Sequence, residues 1–144
     1  FVKNIIIYFY KKWFYDGSKL AVSKNKYIIS SIQKDELSIL FKGNDYLSDL
    51  RILKITLKNL GYSTPPLLRY YSELTENGGF KILDFGVDKS FSNSIDVLIL
   101  IDLNKLTLSK RNRYYNKIAL SMNNNDFINS IIFKKNNIVV SSQQ

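Results

Sequence analysis

The sequence predicts an α+β (mixed α/β) domain, in which helices flank a partial sheet with a C-terminal antiparallel hairpin. Two apolar runs of strand length, at 80–87 and 95–103, enclose the turn-rich segment "DKSFSNS". Leucines recur at helical spacing between residues 46 and 60. With 144 residues, 45% of them hydrophobic, the chain can bury the core of a single domain, 1–144.

The clearest helix covers residues 46–60. Its leucines form one apolar stripe: Leu47, Leu50, Leu53, Leu57 and Leu60. Arg51, Lys54 and Lys58 fall on the opposite side, which is expected to face solvent. Gly61 follows directly, where a left-handed C-terminal cap is expected.

Two more helices are predicted on either side of this one. Residues 2–17 fit a helix or a strand, and the i, i+4 spacing of Ile5, Phe9 and Trp13 favours a helix. After residue 61 a shorter helix is expected, with Thr64 as its N-cap and Pro65 in its first turn.

The remaining segments give weaker patterns. Residues 19–32 fit two strands joined by a turn at 24–25. A helix is predicted after Leu103, capped by Thr107 or Ser109. Residues 126–140 fit either two final strands or a helix and a strand.

The chain has no histidine and no cysteine, and this composition restricts its chemistry. Thiol and imidazole nucleophiles, Ser–His triads and the common zinc ligand sets are excluded. Chemistry within these residues must use carboxylates, tyrosine, lysine or backbone amides.

The formal net charge is +9, and most of the excess lies after Leu103. That segment carries one acidic residue and seven basic ones: Lys105, Lys110, Arg111, Arg113, Lys117, Lys134 and Lys135. The charge favours attraction to phosphates in nucleic acid, lipid headgroups or a carrier arm. The high lysine, asparagine and isoleucine content is also typical of an AT-rich genome, which would explain the charge without a function.

The location of the chain is predicted from its apolar runs. The runs "IIIYFY" and "VLILI" are much shorter than a membrane span. The first run is broken by "KKW", whereas a signal peptide has an uninterrupted apolar segment. A cytoplasmic chain is therefore expected, with peripheral association to an anionic membrane left open. Because the chain starts at Phe1 and its only methionine is Met122, we expect either that an N-terminal piece has been cut away or that the chain is a fragment of a longer protein.

Four aspartates interrupt the two strand-like runs: Asp84, Asp88, Asp96 and Asp102. Clustered carboxylates suit hard cations, but the glycines and oxygen ligands of a calcium loop are missing, so no metal is predicted. The structural alternative is that Asp88 and Asn93 cap the turn while Asp102 ends a strand. Because a sealed core excludes unpaired carboxylates, the hairpin is expected to border a substrate cleft.

The order and spacing of three motifs resemble a known family. They are "PPLLRYYSEL", "GGFKILDFGVDKSFSNSID" and "LILIDL" followed by "KRNRYY". Together they resemble the C-terminal part of the hemolysin-like N-acyltransferases of the GNAT superfamily, which include the ornithine-lipid type. The resemblance implies a GNAT-like sheet and acyl transfer to an amine in lipid metabolism. The co-substrate would be acyl-CoA or acyl carrier protein, with no bound cofactor.

The resemblance also implies two catalytic residues. Tyr71 matches the family tyrosine that protonates the departing thiolate, with Tyr70 as the less favoured neighbour. Asp96 matches an aspartate of the last strand, which could accept a proton from the amine. We expect Tyr71 and Asp96 to face the same void. The structural alternatives are a core aromatic for Tyr71 and a turn support for Asp96.

Other residues match the family motifs by position. Asp88, Phe91 and Asn93 match the hairpin signature and are interpreted first as structural. The predicted contacts to substrate or acyl carrier are four cations: Arg69, Lys110, Arg111 and Arg113. An exposed helix face would also explain the last three.

One family feature is missing. No acidic residue or arginine- and glycine-rich turn for the acyl donor precedes the first helix, so the enzyme interpretation depends on such a loop elsewhere. A degenerate acyltransferase remnant is one alternative. Another is a non-catalytic basic module that binds nucleic acid or an anionic membrane, since aromatics and cations interleave in "KRNRYYNK".

Overall fold

The described part of the chain combines helices with one antiparallel sheet. The computed structural model describes residues 1–121 and 139–143. Five α-helices are described: α1 (Val2–Phe14), α2 (Ser31–Leu40), α3 (Tyr46–Asn59), α4 (Pro66–Ser72) and α5 (Leu108–Ser121). The strands are β1 (Phe80–Asp88), β2 (Ser94–Ile101) and β3 (Val139–Gln143), in the order β1-β2-β3. The predicted α+β fold with its antiparallel hairpin is confirmed, and it is consistent with a partial GNAT-like fold.

The β1–β2 hairpin fixes which side chains share a face of the sheet. Phe85 pairs with Val97 and Gly86 pairs with Asp96, with a register shift between Ile82 and Asp84. Strand β3 pairs with the other edge of β2. The free edge of β1 is partly covered, because Tyr15 bridges to Ile82 and Lys26 bridges to Gly86.

The core lies around α1, which packs on both β1 and α3. Ile5 and Phe9 are fully buried, as the i, i+4 spacing predicted, and Trp13 packs against the same core. The Phe9 ring lies 5.5 Å from the ring of Phe41 and 6.0 Å from that of Tyr46. These aromatic contacts join α1 to the start of α3 and to the residue that ends α2.

The two strands predicted within residues 19–32 are wrong. Lys26 makes only an isolated bridge, and helix α2 begins at Ser31. The hydroxyl of its N-cap, Ser30, accepts a hydrogen bond from the backbone N–H of Gln33. The same hydroxyl donates to Oε1 of the Gln33 side chain. This capping arrangement starts a helix directly after the β-branched residues that suggested a strand.

Helix α4 begins one residue later than the caps predicted. Pro65 is its N-cap and Pro66 is the first helical residue, so Thr64 does not cap the helix. The physical reason is that a proline disfavours the helical conformation in the residue before it, here Pro65, whose ψ is 118°.

The leucine stripe of α3 is buried only at its centre. Leu53 and Leu57 are fully buried, whereas Leu47 and Leu60 are 64% and 42% exposed. Of the 126–140 prediction, residues 126–138 lie outside the described residues, and β3 supplies a strand at its end. Among the described helices, none has the length and apolarity needed to cross a membrane.

Gly61 provides a direct test of the predicted cap. Its φ of 79° is left-handed, and a Cβ there would meet no atom within 4 Å, so backbone strain is the only expected penalty. We expect Gly61→Ala to lower the free energy of unfolding by about 1 kcal/mol, measured by urea denaturation. Gly17→Ala is the control, because a Cβ at Gly17 also meets open space and needs no left-handed backbone. Equal losses in both variants would contradict the role of the cap.

Candidate functional site

An apolar cavity lies between the first half of α1, the start of α4 and one face of the hairpin. Its volume is about 450 Å³, within the range of small-molecule sites. Helix α1 supplies Lys3, Ile6 and Ile7. The start of α4 and the hairpin supply the other lining residues: Pro65, Leu67, Leu68, Tyr71, Phe85, Ser94, Ile95, Val97 and Ile99.

Tyr71 lies in the wall of this cavity because of how α4 is built. The helix starts at Pro66, whose ring fixes the backbone for the first turn. Leu68 and Tyr71 are three residues apart, so they share one side of the helix and both line the cavity. The side chain of Tyr71 is half-buried. The predicted acid therefore borders an apolar space large enough for part of a ligand.

Besides the phenol of Tyr71, the polar groups at the cavity come from Lys3 and the hairpin. Lys3 Nζ donates to the backbone carbonyl of Asn93 at 3.2 Å, which ties α1 to the hairpin turn. Asn93 adopts a left-handed φ of 54°. Within the described residues, the buried Ser94 Oγ has no hydrogen-bond partner. A bound polar group could therefore satisfy this hydroxyl.

The structure does not bring Asp96 together with Tyr71. Side chains alternate between the faces of a strand, and Ile95 and Val97 on either side of Asp96 both line the cavity. Asp96 instead shares the opposite face with its partner Gly86, where a side chain in place of the glycine hydrogen would meet Ser23. Oδ1 of Asp96 is buried without a partner among the described residues. The expected shared void is therefore not found.

Two of the other three aspartates of the hairpin segment, Asp88 and Asp102, have local partners. Asp88 accepts hydrogen bonds from the Ser90 side chain and from the backbone N–H groups of Ser90 and Phe91, and these bonds lower the pKa of its carboxyl. Asp102 accepts from the backbone N–H of Asn104. Asp88 thus caps the hairpin turn and Asp102 directly follows the end of β2, as the structural alternative predicted for these two residues. Asn93 and Phe91 belong to the same turn, and Phe91 is 64% exposed.

Asp84 is the buried exception. It is 3% exposed and accepts hydrogen bonds from the backbone N–H groups of Ser23 and Phe85, both at 2.9 Å. Lys26 and Lys11 lie 3.6 Å and 4.0 Å from its carboxylate oxygens. Paired charges therefore explain how an acid is tolerated within β1.

The four predicted cations do not line the apolar cavity. Arg69 forms an exposed ion pair with Glu73, with Nε 3.0 Å from the carboxylate. Lys110 Nζ lies 5.0 Å from the centre of the Tyr70 ring, and Arg111 donates to the backbone carbonyl of Asn104. Arg113 is exposed.

Tyr70 differs from Tyr71 in its surroundings. Its ring packs edge-on against Tyr71, and its hydroxyl contacts that of Tyr114 on α5. This hydroxyl contact is the largest cause of the raised pKa of Tyr70. Tyr70 therefore joins α4 to α5 and does not line the cavity.

Sequence reasoning missed most of the cavity wall. The alternation of Ile95, Val97 and Ile99 was available as a signal, since it defines one apolar face of β2. Lys3 and Ser94 line the cavity because of how α1 crosses the hairpin. No local sequence pattern predicts that packing. The described residues contain no cluster of three or more acidic side chains that could hold a metal ion.

Comparison with known proteins identifies related acyltransferases. The chain is 28% identical over 112 residues to a protein of Bacteroides thetaiotaomicron named Glycine N(alpha)-acyltransferase, a match covering 78% of the chain and 32% of the relative. It is 29% identical over 112 residues to a protein of the same name from Phocaeicola vulgatus, covering 78% and 33%. The chain thus spans about a third of the length of the curated relatives it matches.

No protein-family model matches the chain, and no solved structure matches it. The shared name of the two relatives supports a relationship to acyltransferases in general. It does not extend to the hemolysin-like or ornithine-lipid type that the motifs resemble.

Proposed function

We propose that this chain is part of a GNAT-like N-acyltransferase, of the hemolysin-like type, that acts in lipid metabolism. It transfers an acyl group from a thioester, on acyl-CoA or acyl carrier protein, to an amine. The observation that carries the proposal is the position of Tyr71 in the wall of an apolar cavity. The similarity to two proteins named as N-acyltransferases supports it independently.

The cavity suits the hydrocarbon part of an acyl group. Its walls are aliphatic or aromatic except at Lys3, Ser94 and the phenol of Tyr71. Burial of each CH₂ group is worth about 0.8 kcal/mol, so even a partly enclosed chain would be held firmly. The polar groups then mark the region where the thioester carbonyl and sulfur would lie.

The reaction assigns one proton transfer to the chain. The amine nitrogen attacks the thioester carbonyl carbon, a C–N bond forms and the C–S bond breaks. Tyr71 donates its phenolic proton to the departing sulfur, and the amine loses its surplus proton to solvent. A proton from solvent then restores the phenol of Tyr71. Asp96 has no part in this scheme, because it faces away from the cavity.

The acceptor is proposed to be glycine, following the names of the two relatives. The test combines the purified protein, glycine, and a hexadecanoyl thioester of either coenzyme A or acyl carrier protein. Mass spectrometry is expected to detect N-hexadecanoylglycine with one of the donors. Absence of any amide product, together with absence of binding to both donors, would refute the proposal.

Filling the cavity should impair long acyl donors selectively. Val97→Phe places a ring in the space between the hairpin and α4, so we expect kcat/KM for hexadecanoyl donors to fall by about tenfold and that for butanoyl donors to change little. Leu100→Phe is the matched control, because this β2 side chain faces away from the cavity. Equal effects of both substitutions, or no dependence on acyl length, would place the acyl chain elsewhere.

A basic module that binds nucleic acid or an anionic membrane is the second proposal carried from the sequence. It has weaker support, because Lys110 lies over the Tyr70 ring and Arg111 is bonded to Asn104. Binding to oligonucleotides or anionic vesicles that survives Tyr71→Phe and weakens steeply with salt would favour it.

A further inference from the structure

A second cavity lies between the C-terminal half of α1, residues 26–29 and helix α2. Its volume is about 390 Å³. Four ammonium groups line it: Lys11, Lys12, Lys26 and Lys34. Among the described residues, it shares no lining side chain with the apolar cavity.

The positive charge of this cavity exceeds its negative charge. Asp84 is the one carboxylate in the described lining, and it is paired with Lys11 and Lys26. Lys12 and Lys34 form no ion pair with any described carboxylate. Asp84 carries a single negative charge, so it cannot balance four ammonium groups.

The lysines are close enough to act on one another. Burial lowers the pKa of Lys11, Asp84 opposes that effect, and the charges of Lys34 and Lys26 lower the pKa further. Asp35 and Asp49 lie outside the lining, although their charges add to burial in raising the pKa of Tyr8. A bound anion would relieve the repulsion among the ammonium groups.

Aromatic rings hold two of these cations in position. Lys11 Nζ lies 5.7 Å from the ring centre of Tyr15 and 5.6 Å from that of Phe85. Lys12 Nζ lies 5.8 Å from the ring centre of Tyr8. These cation–π contacts reduce the entropy lost when a ligand binds, since the ammonium groups are already placed.

We propose that this cavity binds the phosphate group of a small ligand, either inorganic phosphate or a phosphate monoester. Lysine recognises phosphate as a point charge, and Tyr8 and Tyr15 line the same space with phenolic donors. The cavity is larger than a bare ion needs, so the organic part of a monoester can lie against the tyrosine rings.

The test measures binding of inorganic phosphate and glycerol 3-phosphate by calorimetry at constant, low ionic strength. The double variant Lys12→Gln/Lys34→Gln removes the two lysines without a carboxylate partner, and we expect at least one probe to bind about fivefold more weakly. Lys54→Gln/Lys58→Gln on the exposed face of α3 is the control, because it removes the same charge away from the cavity. We expect it to retain affinity within about twofold.

Three results would overturn the proposal. The first is that neither probe binds the parent protein. The second is that both double variants lose affinity equally, which would indicate general attraction to a basic surface. The third is lysine-dependent binding to phosphatidic acid vesicles without binding of either small probe, which would place the phosphate on the surface. A rise in the parent's melting temperature with phosphate, absent in the Lys12/Lys34 variant, provides a second measurement that supports the proposal.

Discussion

Tyr71→Phe is expected to lower kcat for acyl transfer by about a hundredfold, because the substitution removes the proton that the departing thiolate needs. The phenyl ring keeps the apolar contacts of Tyr71 with the cavity wall, so KM for the acyl donor should change little. Steady-state kinetics with a hexadecanoyl thioester and glycine would measure both constants. Thermal melting of the variant would show that the fold is retained.

Tyr70→Phe is the matched control for this experiment. It removes the same atom from the neighbouring residue of α4, whose hydroxyl contacts Tyr114 outside the cavity. We expect kcat to stay within about twofold of the parent, since no reacting atom lies near that hydroxyl. A larger loss in Tyr70→Phe than in Tyr71→Phe would reassign the acid to the less favoured neighbour. Full activity in both would remove the phenol from the mechanism.

Asp84→Ala is expected to have the largest effect on stability, about 3 kcal/mol of unfolding free energy. The substitution leaves two backbone N–H groups, of Ser23 and Phe85, without their acceptor. It also leaves Lys11 and Lys26 without their carboxylate, although water screens these partly exposed ammonium groups. Urea denaturation would measure the loss.

Two further substitutions define the cause of that loss. Asp35→Ala removes an exposed acid from α2, and we expect a change of no more than about 0.5 kcal/mol. Asp84→Asn keeps one acceptor oxygen and removes the charge, so an intermediate loss is expected. If Asp84→Ala cost no more than Asp35→Ala, the buried carboxylate would not anchor the segment around Ser23 to β1.

Features that depend on local chemistry could be predicted from the sequence. The Asp88 cap follows from side-chain bonds to residues two and three positions later, and the left-handed Gly61 follows from the end of a leucine stripe. The start of α4 was predicted to within one residue, because consecutive prolines restrict the backbone strongly.

Features that depend on packing could not be predicted. The direction of Asp96 depends on the hairpin register, and the register shift between Ile82 and Asp84 has no clear mark in the sequence. The lysine-lined cavity brings together three separate segments, with Lys11 on α1, Lys26 at the bridge to Gly86 and Lys34 on α2. Their meeting depends on how these segments pack. The S-x-x-Q spacing of Ser30 and Gln33 was a readable helix start, but the β-branched residues before it suggested a strand.

The pairing of β3 with β2 has a consequence for self-association. Strand β2 is rich in isoleucine, leucine and valine, and without β3 it would present a row of open backbone donors and acceptors to solvent. Such an edge is a template for the same strand of another copy, which is how amyloid-like stacking and strand exchange begin. Pairing with β3 therefore covers this edge of β2 and hinders the same strand of another copy from pairing with it.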